Sequence, residues 1–374
     1  MPVEFEATRL AVAIVAPSLE ILGGQAVQAQ RLLDAWKNDR DIAAWLVPIN
    51  PAGPRWLRGA MRVKYLRTVL TQLMYYPLLA RELRRADVVH VFSASYFSFL
   101  LAPLPAVLVA KLCGRPVLMN YRSGEAPDHL KQSRIARATL QLVDVNVVPS
   151  RFLQDVFAAF GIASRIIPNI VDRTRFAFRE RNPLRPRLVS TRNFEPLYNV
   201  ACTLRAFARV QQRHPDASLT LVGAGSQEAA LRALTDELKL QHVTFAGRVA
   251  PDEIWRAYAD ADIYVQTPDI DNMPSSILEA YSSGLAVVST DAGGVPAILT
   301  DGVHGLLSPL NDDAHVAANI CRLLGDADLA RQVVRAGADV ADGLAWPRVR
   351  GQWLTVYRAL TAGRVPDAAE VRPI

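Results

Sequence analysis

The sequence predicts an α/β protein with two doubly wound domains that face each other across a cleft. Short apolar segments alternate with helical segments twice along the chain, which favours parallel sheets with helices on both faces. Residues 173–186 are rich in arginine and proline, separate the two series and are the best linker candidate. The 374 residues are 51% hydrophobic and 21% charged, which excludes a disordered chain. This length predicts two or three domains.

Each predicted strand is a short apolar run, and helical segments fall between the strands. The first series of strands comprises Leu10–Ala16, Ala43–Pro48, Val88–Phe92, Pro116–Asn120 and Val145–Pro149. The second series comprises Arg187–Ser190, Ser218–Val222, Val243–Ala246, Ile263–Gln266 and Ala286–Ser289. The predicted helices include Gln25–Lys37, Arg151–Phe160, Val200–His214, Ser226–Leu238, Ile254–Ala259, Ser275–Ser283 and a last helix near Arg348–Leu360. The last helix follows the second sheet and could pack back across the hinge.

Residues 88–110 contain no charged side chain and are long enough to span a bilayer. They include His90, three serines, Pro103 and Pro105, and they begin with a β-branched run. We therefore favour a strand, a loop and a buried helix over a membrane span, because buried βα units often contain such runs.

The cysteines and the first residues predict a cytoplasmic protein. Cys113, Cys202 and Cys321 are odd in number and far apart, which gives no disulfide framework or zinc-site spacing. Glu4 and Glu6 stand where a signal peptide would be basic.

The positive charge is concentrated in one segment, residues 55–85. Eight basic residues and one glutamate give it a net charge of +7, whereas the whole chain carries +6. Apolar residues lie between the basic ones, which suits an interfacial helix on anionic lipid and peripheral contact with the inner face of a membrane. A solvated helix whose apolar stripe packs on its own domain explains the pattern equally well. The candidate lipid contacts are Arg62, Lys64 and Arg67.

Glycine-rich turns follow strands in both halves of the chain. Gly23 and Gly24 follow the first strand, and Gly223 and Gly225 follow a strand of the second series. Such turns, with helix N-termini, bind anions at the carboxyl ends of parallel strands. Each turn alone is weak evidence, because tight βα turns need glycine for backbone reasons.

The most informative segment is Asp269–Pro296. Its sequence predicts an acidic loop followed by a helix that ends at Gly284. Pro274 lies near the first position of this helix, so the amides of Met273, Ser275 and Ser276 would face an anion. Glu279 in the second turn could accept hydrogen bonds from ligand hydroxyls, or it could be an ordinary surface glutamate.

Four motifs in this order resemble the retaining GT-B glycosyltransferases of family 4, and the resemblance covers nearly the whole chain. Residues 272–296 resemble the donor-site signature, in which seven residues separate two glutamates. Ile167–Phe176 resembles the motif between the domains. The segments LGGQAVQAQRLL and AWPRVRGQWLTVYRAL resemble the N-terminal glycine loop and the final crossing helix.

The resemblance implies two Rossmann-like domains of the GT-B type. The acceptor-binding domain would comprise residues 1–175, the donor-binding domain residues 176–345, and the crossing helix and tail residues 346–374. Glu279 would bind the ribose of a nucleotide-sugar, and Arg192 would neutralise the departing diphosphate. With the glycine turns, the donor-binding candidates are Gly23, Gly24, Gly223, Gly225, Gly247, Arg248, Met273, Pro274, Ser275, Ser276 and Glu279.

Four features depart from the family pattern, one of them Ile170 in place of the glycine of the motif between the domains. Asp271 replaces the first glutamate of the signature, and Leu197 replaces the lysine expected five residues after Arg192. The second change removes a cation from the diphosphate site, which Arg122 or Arg248 could replace. Asn120-Tyr121-Arg122 stands where the family has an N-domain histidine. The catalytic candidates are Arg192, Asp271 and Glu279, and the acceptor-side candidates are Asn120, Arg122 and Glu125, the last with a structural salt bridge as its alternative.

The resemblance also bears on cofactors. Asp269-Ile270-Asp271 has the DxD form of metal-binding glycosyltransferases of another fold, but the spacing to Glu279 fits the metal-free signature. We therefore expect no metal and no cofactor, with a nucleotide-diphosphate sugar as co-substrate.

The expected function is retaining, metal-independent hexosyl transfer from a nucleotide-sugar to a lipid-linked or cell-surface glycan. A degenerate, non-catalytic GT-B protein that binds a glycan or a partner is the alternative, because the family lysine and histidine are missing. A nucleotide-sugar epimerase is less favoured, because the segment from Asp271 to Glu279 resembles the transferase signature. Nucleic acid is not expected as a partner, because no nucleic-acid-binding module is recognisable.

Overall fold

The protein is described by a computed structural model that covers residues 9–20, 23–54 and 63–364. Its chain forms two compact units. The first contains the chain up to Pro168 together with the chain from Val349 onward, and the second contains Asn169–Arg348. The division therefore precedes the predicted linker, residues 173–186, which lies within the second unit.

A six-stranded parallel sheet forms the centre of the first unit, in the order β2-β1-β3-β4-β5-β6. Its strands are β1 (Leu10–Ala16), β2 (Ile42–Pro48), β3 (Val88–Phe92), β4 (Val117–Asn120), β5 (Val145–Val148) and β6 (Arg165–Ile166). Its helices are α1 (Gly24–Trp36), α2 (Lys64–Leu83), α3 (Tyr96–Leu101), α4 (Pro103–Leu112), α5 (Ala126–Gln132), α6 (Arg134–Leu142) and α7 (Arg151–Ala159).

The second unit repeats this plan, with a parallel sheet in the order β12-β11-β10-β7-β8-β9. Its strands are β7 (Arg187–Ser190), β8 (Ser218–Val222), β9 (Val243–Gly247), β10 (Ile263–Gln266), β11 (Ala286–Thr290) and β12 (Leu306–Ser308). Its helices are α8 (Val200–Arg213), α9 (Glu228–Glu237), α10 (Trp255–Asp260), α11 (Ser275–Ser283), α12 (Asp313–Gly325) and α13 (Ala327–Gly343), and α14 (Trp346–Thr361) continues into the first unit.

The predicted strands agree with the structure because the central strands are mostly apolar and are buried along their whole length. Every residue of β3, β5, β10 and β11 is buried, as expected for parallel sheets covered on both faces. The edge strands β6 and β12 were not predicted. They are two and three residues long, which is too short for any periodicity to show in the sequence.

The uncharged run at residues 88–110 divides into β3, α3 and α4, so the predicted buried helix is two short helices. Within the described ranges, no helix is both long enough and apolar enough to cross a membrane.

The segment predicted as a linker is packed onto the second unit by its arginines. The fully buried Arg181 guanidinium donates to the backbone oxygens of Tyr258, Ala261 and Ser283. Asp262, also buried, forms ion pairs with Arg179, Arg181 and Arg185. Burial raises the pKa of the Asp262 carboxyl, but the contacts with Arg185 and Arg179 outweigh it, and the pKa lies below its ordinary value. These contacts explain why the arginine-rich stretch is ordered.

Helix α14 is attached to the first unit by ion pairs and aromatic packing. Arg350 donates from Nε and Nη2 to the two carboxylate oxygens of Asp39, at 2.6 and 2.9 Å, and it also pairs with Asp41. Trp353 and Tyr357 pack against the buried His90, with ring centroids 4.8 and 6.0 Å away. The last helix is therefore part of the core of the first unit.

The Asp39–Arg350 pair should contribute to stability in a pH-dependent way. Burial acts to raise the pKa of Asp39, but hydrogen bonds from Arg350 and two backbone amides outweigh it and lower the pKa. We expect Asp39→Asn to lower the free energy of unfolding by about 1–3 kcal/mol at pH 7. Because the folded pKa is depressed, this contribution is present above the unfolded pKa of about 4 and is lost as the pH falls through the folded value.

Urea unfolding of wild type and variant between pH 3 and 7 measures this difference. Asp155→Asn, which breaks an exposed ion pair on α7, is the matched control, with an expected change within about 0.5 kcal/mol. An equal loss in both variants at pH 7 would contradict a specific role for Asp39.

Candidate functional site

Arg192 follows β7 and lies at the centre of a polar cluster at the carboxyl edge of the second sheet. Its Nη2 donates to Asp271 Oδ2 at 2.6 Å, and its Nη1 donates to the Oγ of Ser276 at 3.2 Å. Its guanidinium stacks 4.0 Å from the ring centre of Tyr198. Two of the three predicted catalytic residues therefore form one ion pair.

The electrostatics of Arg192 favour an anionic ligand. Burial acts to lower its pKa, but the charge of Asp271 outweighs burial and keeps the guanidinium protonated at any physiological pH. Its Nε is buried and has no hydrogen-bond partner among the described residues. An unused donor in a buried site needs an explanation, and an anionic ligand would provide one.

The helix N-terminus predicted to bind an anion is present. Helix α11 begins at Ser275, and its N-cap residue, Pro274, provides no side-chain hydrogen bond. The preceding loop is held in place because Asn169 donates from Nδ2 to the carbonyl of Met273 at 2.6 Å. Met273, Pro274, Ser275 and Ser276 therefore surround an uncapped helix start beside Arg192.

Glu279 lies on α11 and is 6% exposed, so it is not an ordinary surface glutamate. The hydroxyl of Tyr258 donates to its Oε2 at 2.6 Å. Burial, and then the charge of Glu279, raise the pKa of Tyr258 well above its ordinary value, so the phenol stays protonated.

The three glycines of the second unit that are donor-binding candidates lie in two different kinds of surroundings. Gly223 and Gly225 lie against the backbone of the loop that carries Arg192, where a Cβ would overlap the carbonyls of Arg192 and Phe194. Gly247, with φ +69°, faces open space, and the neighbouring Arg248 is exposed. Close packing of two backbones therefore explains Gly223 and Gly225 without a ligand.

The DxD segment does not bring its two carboxylates to one partner. Asp271 pairs with Arg192, whereas Asp269 accepts a hydrogen bond from Asn199 at 2.9 Å. Leu197, at the position of the family lysine, lies in the short turn beside Tyr198, and its carbonyl accepts from the amide of Asp269.

In the first unit, the two predicted glycines follow β1, and Asn120 and Arg122 lie at the carboxyl end of β4. Gly23 and Gly24 form the start of α1, and a Cβ at either position would meet no atom of the described residues within 4 Å. Arg122 donates from Nε to Asn120 Oδ1 at 2.9 Å and lies over the ring of Phe92. Burial lowers the pKa of Arg122 to about 9.

Asn120 connects Arg122 to the buried His90. Because Asn120 Oδ1 accepts from Arg122, its Nδ2 donates to His90 Nε2 at 2.9 Å. His90 Nε2 is thus an acceptor, and its Nδ1 donates to the hydroxyl of Tyr357 at 2.7 Å. Burial, with the charge of Arg122 second, lowers the pKa of His90 and keeps it neutral.

The remaining candidates are Glu125 and the three candidate lipid contacts. The charge of Glu125 contributes to the raised pKa values of Tyr96 and Tyr121, although burial is the larger cause in both. No described residue forms a salt bridge with Glu125, so the structure does not support its structural alternative. Arg62 lies outside the described residues; Lys64 begins α2, and Arg67 on the same helix is exposed.

Three residues of these clusters were not singled out from the sequence. Tyr258, Tyr198 and His90 contact Glu279, Arg192 and Asn120, respectively. Each lies in an ordinary apolar or aromatic position of a helix, turn or strand. Nothing in its spacing distinguishes it from a core residue, because its role depends on a partner that is distant in the chain.

Comparison with known families matches both halves of the chain. The model described as "Glycosyl transferases group 1" matches residues 172–340, and the model described as "Glycosyltransferase Family 4" matches residues 22–175. Together they cover most of the predicted donor half and most of the predicted acceptor half.

Two curated relatives have names that refer to sugar transfer. The chain is 26% identical to sulfoquinovosyl transferase SQD2 of Arabidopsis thaliana over 75% of this chain and 59% of the relative. It is 29% identical to the GDP-mannose-dependent alpha-(1-6)-phosphatidylinositol monomannoside mannosyltransferase of Mycobacterium tuberculosis over 60% of this chain and 64% of the relative. The chain therefore spans less than two thirds of the length of these relatives.

A solved structure confirms the fold. HepE of Anabaena, crystallised with UDP, has a TM-score of 0.71 at 16% identity, over 94% of this chain and all of HepE. With the two parallel sheets, this likeness confirms the prediction of two Rossmann-like domains of the GT-B type.

The packing at Gly225 gives a test of how the Arg192 loop is held. A Cβ at this position would overlap the carbonyl of Phe194, so we expect Gly225→Ala to lower the free energy of unfolding by about 1–3 kcal/mol. Gly325→Ala is the control, because its Cβ would meet no atom within 4 Å and alanine suits the end of helix α12. Calorimetry that finds both variants as stable as wild type would contradict this packing.

Proposed function

Because the chain belongs to the glycosyltransferases of group 1, family 4, we propose that it transfers a hexosyl group from a nucleoside-diphosphate sugar to an acceptor hydroxyl. The observation that carries this proposal is the cluster of Arg192, Asp271, Ser276 and Glu279 at the carboxyl edge of the second sheet. In open α/β sheets, this edge is where nucleotides bind.

Each part of the cluster suits one part of the donor. The uncapped first turn of α11 would accept phosphate oxygens, since helix N-termini bind anions. Arg192, with its unused Nε, would stabilise the negative charge that develops on the departing diphosphate. Glu279 would accept hydrogen bonds from the ribose hydroxyls, and Asp271 would hold Arg192 in place and contact the sugar.

The proposed reaction retains the anomeric configuration and needs no metal or other cofactor. The bond between the anomeric carbon and the donor phosphate breaks, and the bond to the acceptor oxygen forms on the same face. The acceptor proton passes to an oxygen of the departing phosphate, and the products are the glycoside and a nucleoside diphosphate. The chain contributes positioning and charge stabilisation, with Arg192 and the helix amides in place of a divalent cation.

Donor binding can be tested by thermal stability. UDP-glucose or GDP-mannose should raise the melting temperature of the wild type, because a ligand that binds only the folded state stabilises it. We expect Glu279→Gln to remove most of this shift, whereas Glu237→Gln, an exposed site on α9, keeps it. No shift of the wild type across a full panel of donors would reject the proposal.

Mass spectrometry and NMR spectroscopy of the products together separate the alternatives, because an epimerised donor has the same mass as the original one. Binding without transfer to any acceptor would support a degenerate protein, and a changed donor in the absence of acceptor would indicate an epimerase.

We also propose that the acceptor is linked to lipid and that the protein works at the inner face of the cell membrane. The observation that supports this proposal is α2. Its C-terminal half packs on its own unit through Tyr75, Leu79 and Leu83, which are fully buried. Most of its exposed apolar residues lie in its N-terminal half, so the two interpretations of the basic segment apply mainly to different parts of one helix.

The exposed apolar residues of α2 form one stripe, which we call the α2 stripe. At about 100° per residue they lie within an arc of about 100°. The α2 stripe consists of Tyr65, Leu66, Val69, Leu73 and Tyr76, which are 39–81% exposed. Arg67 is exposed but lies outside this arc, so the helix supports the apolar half of the proposal more directly than the basic half.

Vesicle binding tests both the apolar part and the electrostatic part of this proposal. We expect the protein to bind phosphatidylglycerol vesicles in a salt-sensitive manner, and Val69→Ser with Leu73→Ser to weaken this binding about tenfold or more. Neutralising Arg62, Lys64 and Arg67 should weaken it about fivefold per charge. Ile135→Ser with Leu142→Ser, which changes two exposed apolar residues of similar accessibility on α6, is the matched control. Equal binding to phosphatidylcholine vesicles would contradict the electrostatic part.

A further inference from the structure

Three side chains from separate elements form a hydrogen-bonded chain in the second unit. Thr191, directly after β7, lies 2.7 Å from the hydroxyl of Tyr258 on α10. That hydroxyl lies 2.6 Å from Glu279 Oε2 on α11. Tyr258 is fully buried, and Glu279 is 6% exposed.

The direction of these hydrogen bonds follows from the number of protons available. Tyr258 has one hydroxyl proton, which it donates to the carboxylate of Glu279. The hydroxyl of Thr191 must therefore donate to the phenol oxygen. Two donors in series therefore end on Oε2 of Glu279, an arrangement that fixes the orientation of this carboxylate.

Tyr258 is itself held on all sides. Its ring packs edge-on against Phe176, with centroids 5.5 Å apart, and stacks on Tyr264 at 6.0 Å. Its backbone carbonyl accepts a hydrogen bond from the buried Arg181 at 3.0 Å. These contacts fix the position of the hydroxyl. One of them comes from the arginine-rich segment, through Arg181.

We propose that Tyr258 is a positioning residue that orients the Glu279 carboxylate for the ribose hydroxyls of the donor. This inference rests on the proposed function, because it assigns Glu279 to the ribose. Thr191 extends the same effect to the loop of Arg192, since the two residues are adjacent in the chain. One loop thus connects the ribose contact to the diphosphate contact.

A thermodynamic cycle between the protein and the nucleotide tests the proposal. Tyr258→Phe removes the hydroxyl and keeps the ring, so the packing on Phe176 and Tyr264 is retained. The probes are UDP and GDP and their 2′,3′-dideoxy forms, with Kd measured by calorimetry. We expect the wild type to bind at least one ribonucleotide more tightly than its dideoxy form.

Tyr258→Phe should weaken binding of that ribonucleotide about five- to twentyfold and leave binding of the dideoxy form unchanged. Equal weakening of both forms would mean a merely structural role and would overturn the proposal, as would no weakening of either. Thr191→Val, which keeps the shape of the side chain, should give a smaller loss with the same selectivity, and it serves as the second variant if Tyr258→Phe is poorly folded.

The controls separate this inference from the proposed function. Tyr281→Phe removes another fully buried hydroxyl from α11, one that contacts the carbonyl of Ile298, and should change neither Kd. A wild type that binds none of the four nucleotides would reject the donor site itself and the inference with it. A wild type that distinguishes ribose from dideoxyribose, with a Tyr258→Phe variant that does so equally well, would reject only the role of Tyr258.

Discussion

The ion pair between Arg192 and Asp271 is the interaction on which the candidate donor site depends. It joins the loop after β7 to the loop after β10, two neighbouring strands of the second sheet. Both side chains are largely removed from water, so the loss of one would leave the other charge uncompensated, at a cost of about 3–5 kcal/mol. Ser276 and Tyr198 complete the surroundings of the guanidinium and fix its plane.

This ion pair requires the loops to approach closely, and the glycines reflect that requirement. Gly223 and Gly225 allow the loop after β8 to touch the backbone of Arg192 and Phe194, and Gly294 allows a similar approach to Asn272. The sequence places these glycines in turns that resemble phosphate-binding turns. In the structure, they are needed for the close packing of the loops that carry the charged side chains. A turn can serve packing and binding together, and the sequence pattern is the same in either case.

Charge is distributed in two ways in this protein. The strongly basic segment lies in the first unit, and the rest of the chain carries a net charge of −1. In the second unit, these arginines are instead paired with buried or largely buried aspartates: Arg192 with Asp271, and three arginines with Asp262. An anionic surface would therefore be attracted to one segment, whereas a diphosphate would meet a single preorganised guanidinium and a helix N-terminus.

The sequence by itself determined the two parallel sheets, most strand positions and the helix that begins at Ser275, because buried parallel strands and helix starts have strong local signals. It also indicated Arg192, Asp271 and Glu279 as site residues through a resemblance of motifs. Only the tertiary structure decided that Arg192 pairs with Asp271, that Tyr258 contacts Glu279, and that the supposed linker is packed through Arg181. The physical reason is that each of these contacts joins residues about 20 to 100 positions apart, and no local periodicity records which distant side chains will meet.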